Sequence, residues 1–274
     1  MYSDILMIPD AMGMGLNFAT GEGPVFDFYI NNVDALNQLN VKNINERLSY
    51  VFELIKLCLK KLPENFPLLG FAGAPFTVAC YMIAGSSKNQ FEEVKSFAWT
   101  QPRVFHELMT VITEATIEYL KGQVDAGVTA IQLFDTWAGL LSLEDYRILA
   151  KPYTQKVFDA LNSSYVPTIH YIKGGSYLLS DMAELSSDVI SVDWRVDLKS
   201  VQQVTQNRYA IQGNFDPVLL MTTQDIIQER LQEMLKAVPN PKKGYIINLG
   251  HGIGKNTPVK NAKFFVDKAK SLFM

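Results

Sequence analysis

Short apolar runs alternate along the chain with longer stretches in which apolar residues recur every three or four positions. The runs predict strands over 2–8, 67–72, 129–134, 167–172, 188–193, 208–212 and 244–249. Two of them, TAIQLF and GYIINL, are nearly continuous in apolar residues, as strands covered on both faces of a parallel sheet should be. Over 43–62, Ile44, Leu48, Val51, Ile55, Leu59 and Leu62 keep helical spacing until Pro63 stops them. Over 104–124, Val104, Leu108, Val111, Ala115 and Leu120 repeat the pattern after Pro102. Ser142 and the Thr222-Thr223 pair stand where helix caps belong, each followed within three residues by Asp. Asp216-Pro217 and Thr257-Pro258 place a capping side chain before a proline suited to the first helical position.

Strands alternating with helices predict a parallel sheet fed by crossover helices. With 274 residues and no internal repeat or linker, residues 1–274 read as one domain, an α/β barrel of the (β/α)8 type. Seven strands are predicted where a complete barrel has eight.

Composition narrows the partners. The chain is 48% hydrophobic and 19% charged, with a net charge of −3, so no basic surface for nucleic acid is expected. No apolar run is long enough for a membrane span and no basic-then-apolar leader opens the chain, which makes the cytoplasm the expected location. Cys58 and Cys80 have no zinc-type spacing and read as free thiols. Neither an HExxH run nor a carboxylate-rich loop is present, so no metal is expected.

In α/β barrels the active site lies where strands give way to the loops before the helices. Polar residues fall at those points with regularity: Asp4 and Asp10, then Tyr81, then Asp135, Thr136 and Trp137, then Lys173. Asp193-Trp194, Gln212, Asn214, Asp216, Asn248 and His251 follow. Each has a plainer reading. Asp4, flanked by apolar residues, is either a loop brace or a functional carboxylate; Asp135 and Asp216 suit caps; Lys173 suits solvent as well as an anion. His251 stands apart, because Gly250 and Gly252 leave its imidazole open to a close-approaching ligand. The 250–257 stretch fails the phosphate-loop pattern, and Gly13-Met14-Gly15 is no dinucleotide fingerprint.

Six segments in order carry a resemblance: SDILMIPDAMGMG at 3–15, GFAGAPFTVACYMIAG at 70–85, IQLFDTWAG at 131–139, DVISVDW at 188–194, IQGNFDP at 211–217 and INLGHGI at 247–253. Together they resemble the uroporphyrinogen decarboxylase family of porphyrin and haem biosynthesis. That resemblance implies a barrel enzyme that converts the acetate side chains of uroporphyrinogen to methyls, giving coproporphyrinogen, with no cofactor and no metal. It implies Asp4, Tyr81 and His251 as catalytic, and Thr136, Phe134, Met12, Gly13 and Met14 as contacts to the tetrapyrrole. It also implies a homodimer.

The family carries an Arg-rich segment ahead of the first block, whereas Met1 here stands almost against it. The expectation is therefore a barrel truncated at its N-terminus, with a clipped first strand and little turnover on its own. Six arginines are present, at 47, 103, 147, 195, 208 and 230, and none lies in a matching motif. Two alternatives stay open. One is an inactive truncated barrel that only binds porphyrinogen or dimerises. The other is a cobamide-dependent methyltransferase on the related barrel, disfavoured because such enzymes bind zinc through His and Cys, and neither cysteine here has a nearby histidine in sequence.

Overall fold

The computed structural model describes residues 4–19, 23–64, 66–85, 88–238 and 244–272. It divides into two compact units, Met1–Ile169 and His170–Met274.

The first unit corrects one expectation. Of the strand predicted over 2–8, residues 2 and 3 lie outside the described residues, and the rest is a turn leading into a helical turn, Met7–Pro9, and a π-type turn, Asp10–Met14. The cause is local competition for the backbone. Asp4 Oδ1 accepts the Leu6 N–H at 2.8 Å, and Asp10 Oδ1 accepts the Leu16 N–H at 2.9 Å. Such side-chain bonds offer the main chain an alternative to a strand ladder. Arg47 holds the segment from outside, its Nη1 donating to the carbonyls of Ala11 (2.7 Å) and Asn40 (2.9 Å). Next comes a short antiparallel ribbon of β1 (Asn17–Ala19) and β2 (Gly23–Val25).

The remaining six predicted strands form. They are β3 (Leu69–Gly73), β4 (Ala130–Phe134), β5 (Thr168–Ile172), β6 (Val189–Val192), β7 (Ala210–Phe215) and β8 (Tyr245–Leu249), neighbours in chain order within one sheet. The boundary between the units falls inside β5. The β3–β4, β6–β7 and β7–β8 pairings are parallel. Sequential parallel strands joined by helices are the arrangement of the (β/α)8 class, and six such strands lie among the described residues.

Helices follow the predicted periodicity with one division. The 43–62 stretch is a turn, Ile44–Arg47, and a separate helix α1 (Ser49–Leu59). Pro75 opens α2 (Pro75–Ala84), after which come α3 (Glu92–Thr100), α4 (Pro102–Asp125), α5 (Leu143–Leu149) and α6 (Lys151–Leu161). Ser142 caps α5 through the Asp145 N–H at 3.1 Å.

In the second unit are α7 (Leu198–Thr205), α8 (Gln224–Lys236) and α9 (Val259–Ser271). Of the Thr222-Thr223 pair it is Thr223 that caps α8, and Asp216 accepts the Val218 N–H at 2.9 Å. Thr257 does not cap: Pro258 occupies the cap position of α9 and no side chain bonds there. Phe215, Leu220, Ile227, Leu231 and Phe265 form a core in this unit, with the Phe215 and Phe265 rings 4.8 Å apart.

One side chain substitutes for a neighbouring strand. Gln123, near the end of α4, accepts the Phe71 N–H and donates to the Phe71 carbonyl, both at 2.9 Å, so its amide supplies a ladder rung to β3. Only 2% of Gln123 is exposed, and Gly70 makes room for it: a Cβ there would stand 2.6 Å from Gln123 Oε1. Gln123→Leu keeps the volume and removes both bonds, so stability should fall by about 2 kcal/mol or more, the cost of stranding buried main-chain groups. Urea unfolding of the two proteins checks this, and an unchanged midpoint would show that β3 is satisfied in another way.

Candidate active site

In the first unit, the short connection from β3 to α2 sets the site's first wall. The Ala74 N–H donates to the Phe134 carbonyl at 2.9 Å, and Pro75 then starts α2 at once. Thr77 and Tyr81 lie four residues apart and so share one face of that helix. The Thr77 hydroxyl donates to Asp135 Oδ1 at 3.0 Å and accepts the Trp137 N–H at 3.1 Å, fixing the loop after β4. One turn on, the Tyr81 ring meets Phe91 edge-on at 5.4 Å and Trp137 at 6.3 Å. Burial pushes the Tyr81 hydroxyl above its ordinary range, with Trp137 opposing and the charges of Cys80 and Asp4 adding. Tyr81 is therefore a neutral donor at neutral pH, close enough to Asp4 to feel its charge.

Asp4 is partly buried and braced by the Leu6 N–H. Phe134 and Thr136 are half-buried, the Phe134 ring standing edge-on to Phe71 at 5.9 Å. Gly13 is exposed in a left-handed conformation (φ 92°), while Met12 and Met14 on either side of it are fully buried. Asp135 is also fully buried and accepts the Thr154 hydroxyl at 3.4 Å besides that of Thr77. Its position is that of a brace.

In the second unit, His251 is half-buried in a polar and aromatic nest. The Tyr171 hydroxyl, from the end of β5, lies 2.8 Å from the Gly250 carbonyl and 3.1 Å from His251 Nδ1. A phenol has one proton to give, and the carbonyl can only accept. That proton goes to Gly250, so Nδ1 carries hydrogen and donates to the phenol oxygen, leaving the Nε2 lone pair for another partner. The Tyr171 and His251 rings lie nearly parallel, 10° apart with centroids at 6.1 Å, and Trp194 stands 6.5 Å away. Gly250 is required here because a Cβ would sit 2.4 Å from the Trp194 backbone nitrogen. The glycines beside His251 thus admit a neighbouring loop as well as a ligand.

That loop follows β6 and is organised by Asp193, which is fully buried. Its Oδ2 accepts the Gly174 N–H at 2.6 Å and its Oδ1 accepts the Arg195 N–H at 3.0 Å. The Arg195 guanidinium lies 4.6 Å over the Trp194 ring and 3.5 Å from Asp193 Oδ2. Asn214 pins the same loop by donating to the carbonyls of Asp193 (2.8 Å) and Val196 (2.7 Å). Tyr171 and Arg195 escaped the sequence reading. Tyr171 sits inside a strand motif with no polar signature, and an arginine after a tryptophan signals nothing until the fold brings histidine beside them. Among the described residues no group of three or more His, Cys, Asp or Glu side chains could hold a metal ion, and no helix is long and apolar enough to cross a membrane.

Burial lowers the His251 pKa, Lys173 and Arg195 lower it further, and Asp193 acts against them. The sign of the pH effect follows. Above about pH 6.5 the imidazole is neutral in both folded and unfolded chains and contributes nothing. As pH falls through that value the unfolded chain takes up the proton first, so stability drops until the folded pKa is passed. His251→Gln should remove this part of the acid sensitivity. Urea midpoints for both proteins between pH 7.5 and 5 test it: curves that run parallel would mean the folded imidazole titrates normally.

Comparison with known proteins gives a consistent result. A family model described as uroporphyrinogen decarboxylase (URO-D) matches residues 1–272. A uroporphyrinogen decarboxylase of Carboxydothermus hydrogenoformans is 40% identical over 273 residues, covering 99% of this chain and 77% of the relative. One from Pelobacter propionicus is 38% identical, covering 99% and 79%. Among solved structures, a methyltransferase from Methanosarcina mazei superposes with a TM-score of 0.83 at 23% identity, covering 100% of this chain and 80% of its own, a likeness of fold alone. The chain belongs to the uroporphyrinogen decarboxylase family.

Proposed function

We propose that the protein decarboxylates the acetate side chains of uroporphyrinogen to methyl groups, yielding coproporphyrinogen in porphyrin and haem biosynthesis. The family match over residues 1–272 supports the reaction. The observation that carries the chemistry is a carboxylate, Asp4, fixed by the Leu6 N–H and electrostatically coupled to the hydroxyl of Tyr81.

The reaction needs no outside electron sink, because the pyrrole is one. Protonation of a ring carbon makes a cation; the acetate C–C bond then breaks, carbon dioxide leaves, and its bonding pair neutralises the ring. A second proton completes the methyl group and the ring proton is lost, so one proton is consumed for each carbon dioxide released. Asp4 accepts hydrogen bonds from pyrrole N–H groups and offsets the developing positive charge. A fixed carboxylate in a site shielded from water does this without reorganising. Tyr81, held neutral, donates to the acetate before it departs. His251 binds a substrate carboxylate through Nε2 once protonated, or relays a proton. Thr136 donates to a propionate, and Phe134, Gly13, Met12 and Met14 provide the apolar backing.

The same proposal takes residues 1–274 as one catalytic domain, acting as a homodimer in the cytoplasm. The family match running through the chain as a single block supports the first part. Sedimentation equilibrium reads the second: a monomer at assay concentration would remove the dimer from the proposal.

Asp4→Asn tests the mechanism, since it keeps the shape and removes the charge. Turnover of uroporphyrinogen should fall roughly 10²–10³-fold, the usual loss for one preorganised electrostatic contact, with little change in melting temperature. Product formation is measured by chromatography of the oxidised porphyrins, on the chain alone and with a family-type Arg-rich segment fused ahead of Met1. Near-normal turnover by the Asn variant would reduce Asp4 to a loop brace. Absence of coproporphyrinogen from both parent forms would overturn the proposed reaction.

A further inference from the structure

We propose that Arg195, its guanidinium lying over the Trp194 ring beside His251, is a bidentate binding group for a carboxylate of the tetrapyrrole. The inference rests on the reading of the substrate given above and adds a specificity-determining residue to it.

Three of the other arginines are engaged within the protein. Arg47 is taken by the carbonyls of Ala11 and Asn40, Arg230 by Glu233 at 2.6 Å, and Arg208 donates from Nε to the Thr205 carbonyl at 3.3 Å. Arg195 differs in kind. Its one ion pair is with Asp193, whose oxygens already accept two main-chain N–H groups at 2.6 and 3.0 Å. The guanidinium stands 3.5 Å from that carboxylate, longer than a charge-assisted hydrogen bond. The contact is made through Nη1 at ion-pair distance rather than as a hydrogen bond, so it orients the group and leaves its N–H donors for another acceptor.

Orientation is set a second time by the indole, with the guanidinium 4.6 Å above the Trp194 ring. The ring's negative face attracts the guanidinium and holds it there, and half of the side chain is open to solvent. Trp194 is in turn 6.5 Å from the His251 ring, and both Lys173 and Arg195 act on that imidazole as positive charges. A planar fork and an ammonium beside a neutral imidazole form a local cationic surface on a chain of net charge −3. The ligand that such a surface selects is a flat carboxylate on an apolar aromatic frame, able to lie along Trp194 while its oxygens reach the fork.

The probe is uroporphyrin, the stable oxidised octacarboxylate, titrated into the 274-residue chain and followed by porphyrin fluorescence. Arg195→Gln should weaken binding about tenfold, the lower range for a hydrogen-bonded charge at a half-exposed position. Arg195→Lys should recover only part of the loss, because an ammonium keeps charge without the fork. Arg103→Gln, removing an exposed arginine from the start of α4, controls for net charge and should bind like the parent. Melting temperatures within a few degrees of the parent exclude misfolding as the cause.

Binding by Arg195→Gln within twofold of the parent overturns the inference, as does a parent that binds no uroporphyrin. Recovery to the parent affinity by Arg195→Lys overturns the bidentate assignment. Failure of the proposed reaction is seen separately, as Arg195-dependent binding of uroporphyrin by a parent that releases no coproporphyrinogen in either form assayed above.

Discussion

Two buried carboxylates placed directly after strands, one in each unit, organise the surroundings of the catalytic candidates. Ionised groups with no exposure are costly unless every charge finds donors, so each must gather its surroundings toward itself. Asp135, after β4, gathers the hydroxyls of Thr77 and Thr154. Asp193, after β6, gathers the Gly174 and Arg195 N–H groups and the guanidinium. In the first unit the result fixes Thr77, and with it the helix face bearing Tyr81. In the second it fixes the Trp194-Arg195 loop against which Gly250 and His251 pack. The catalytic candidates are positioned by neighbours that never meet solvent.

Burial also sets what those candidates can do. Tyr81 is pushed toward its neutral, proton-bearing form, and His251 toward its neutral, proton-accepting form. Desolvation is the leading cause in both, and it disfavours charge whichever sign the charge has. A tyrosine that keeps its proton and a histidine that lacks one make a donor and an acceptor at the same pH. Asp4 accepts the Leu6 N–H and is only partly buried, so its carboxylate meets less desolvation than the fully buried Asp135 and Asp193.

How far the sequence discloses this depends on the range of the forces involved. Strands such as AIQLF and TIHYI are legible because burial on both faces leaves most of their positions apolar. The opening ILMI run is equally apolar, yet it coils, since Asp4 and Asp10 each capture a nearby N–H and no periodicity separates a short helix from a strand. Family motifs pointed to Asp4, Tyr81 and His251, whose roles stand here as proposals. Tyr171 and Arg195 were not legible. Their part depends on contacts spanning 80 and 79 positions for Tyr171, with His251 and Gly250, and on the guanidinium lying over the Trp194 ring for Arg195. Glycine at 250 looked like an opening for ligand, whereas the 2.4 Å approach of the Trp194 nitrogen makes it first a packing requirement.

A net charge of −3 does not suit a ligand with many carboxylates, and the distribution of charge matters more than its sum. Asp193 pairs with Arg195 at 3.5 Å, and its oxygens are turned inward onto backbone donors. Its field is partly cancelled within a few ångströms by those N–H dipoles. At the His251 imidazole the positive charges of Lys173 and Arg195 both favour the neutral ring, Lys173 acting more strongly than Asp193 and Arg195 less, and the same charges attract a carboxylate. Attraction of this kind acts over about a Debye length, roughly 8 Å at physiological salt, so it governs docking of a carboxylate already near the loop. It is therefore a selector of pose more than of encounter, and a bidentate fork held by an indole is the part of that selector whose direction is fixed before the ligand arrives.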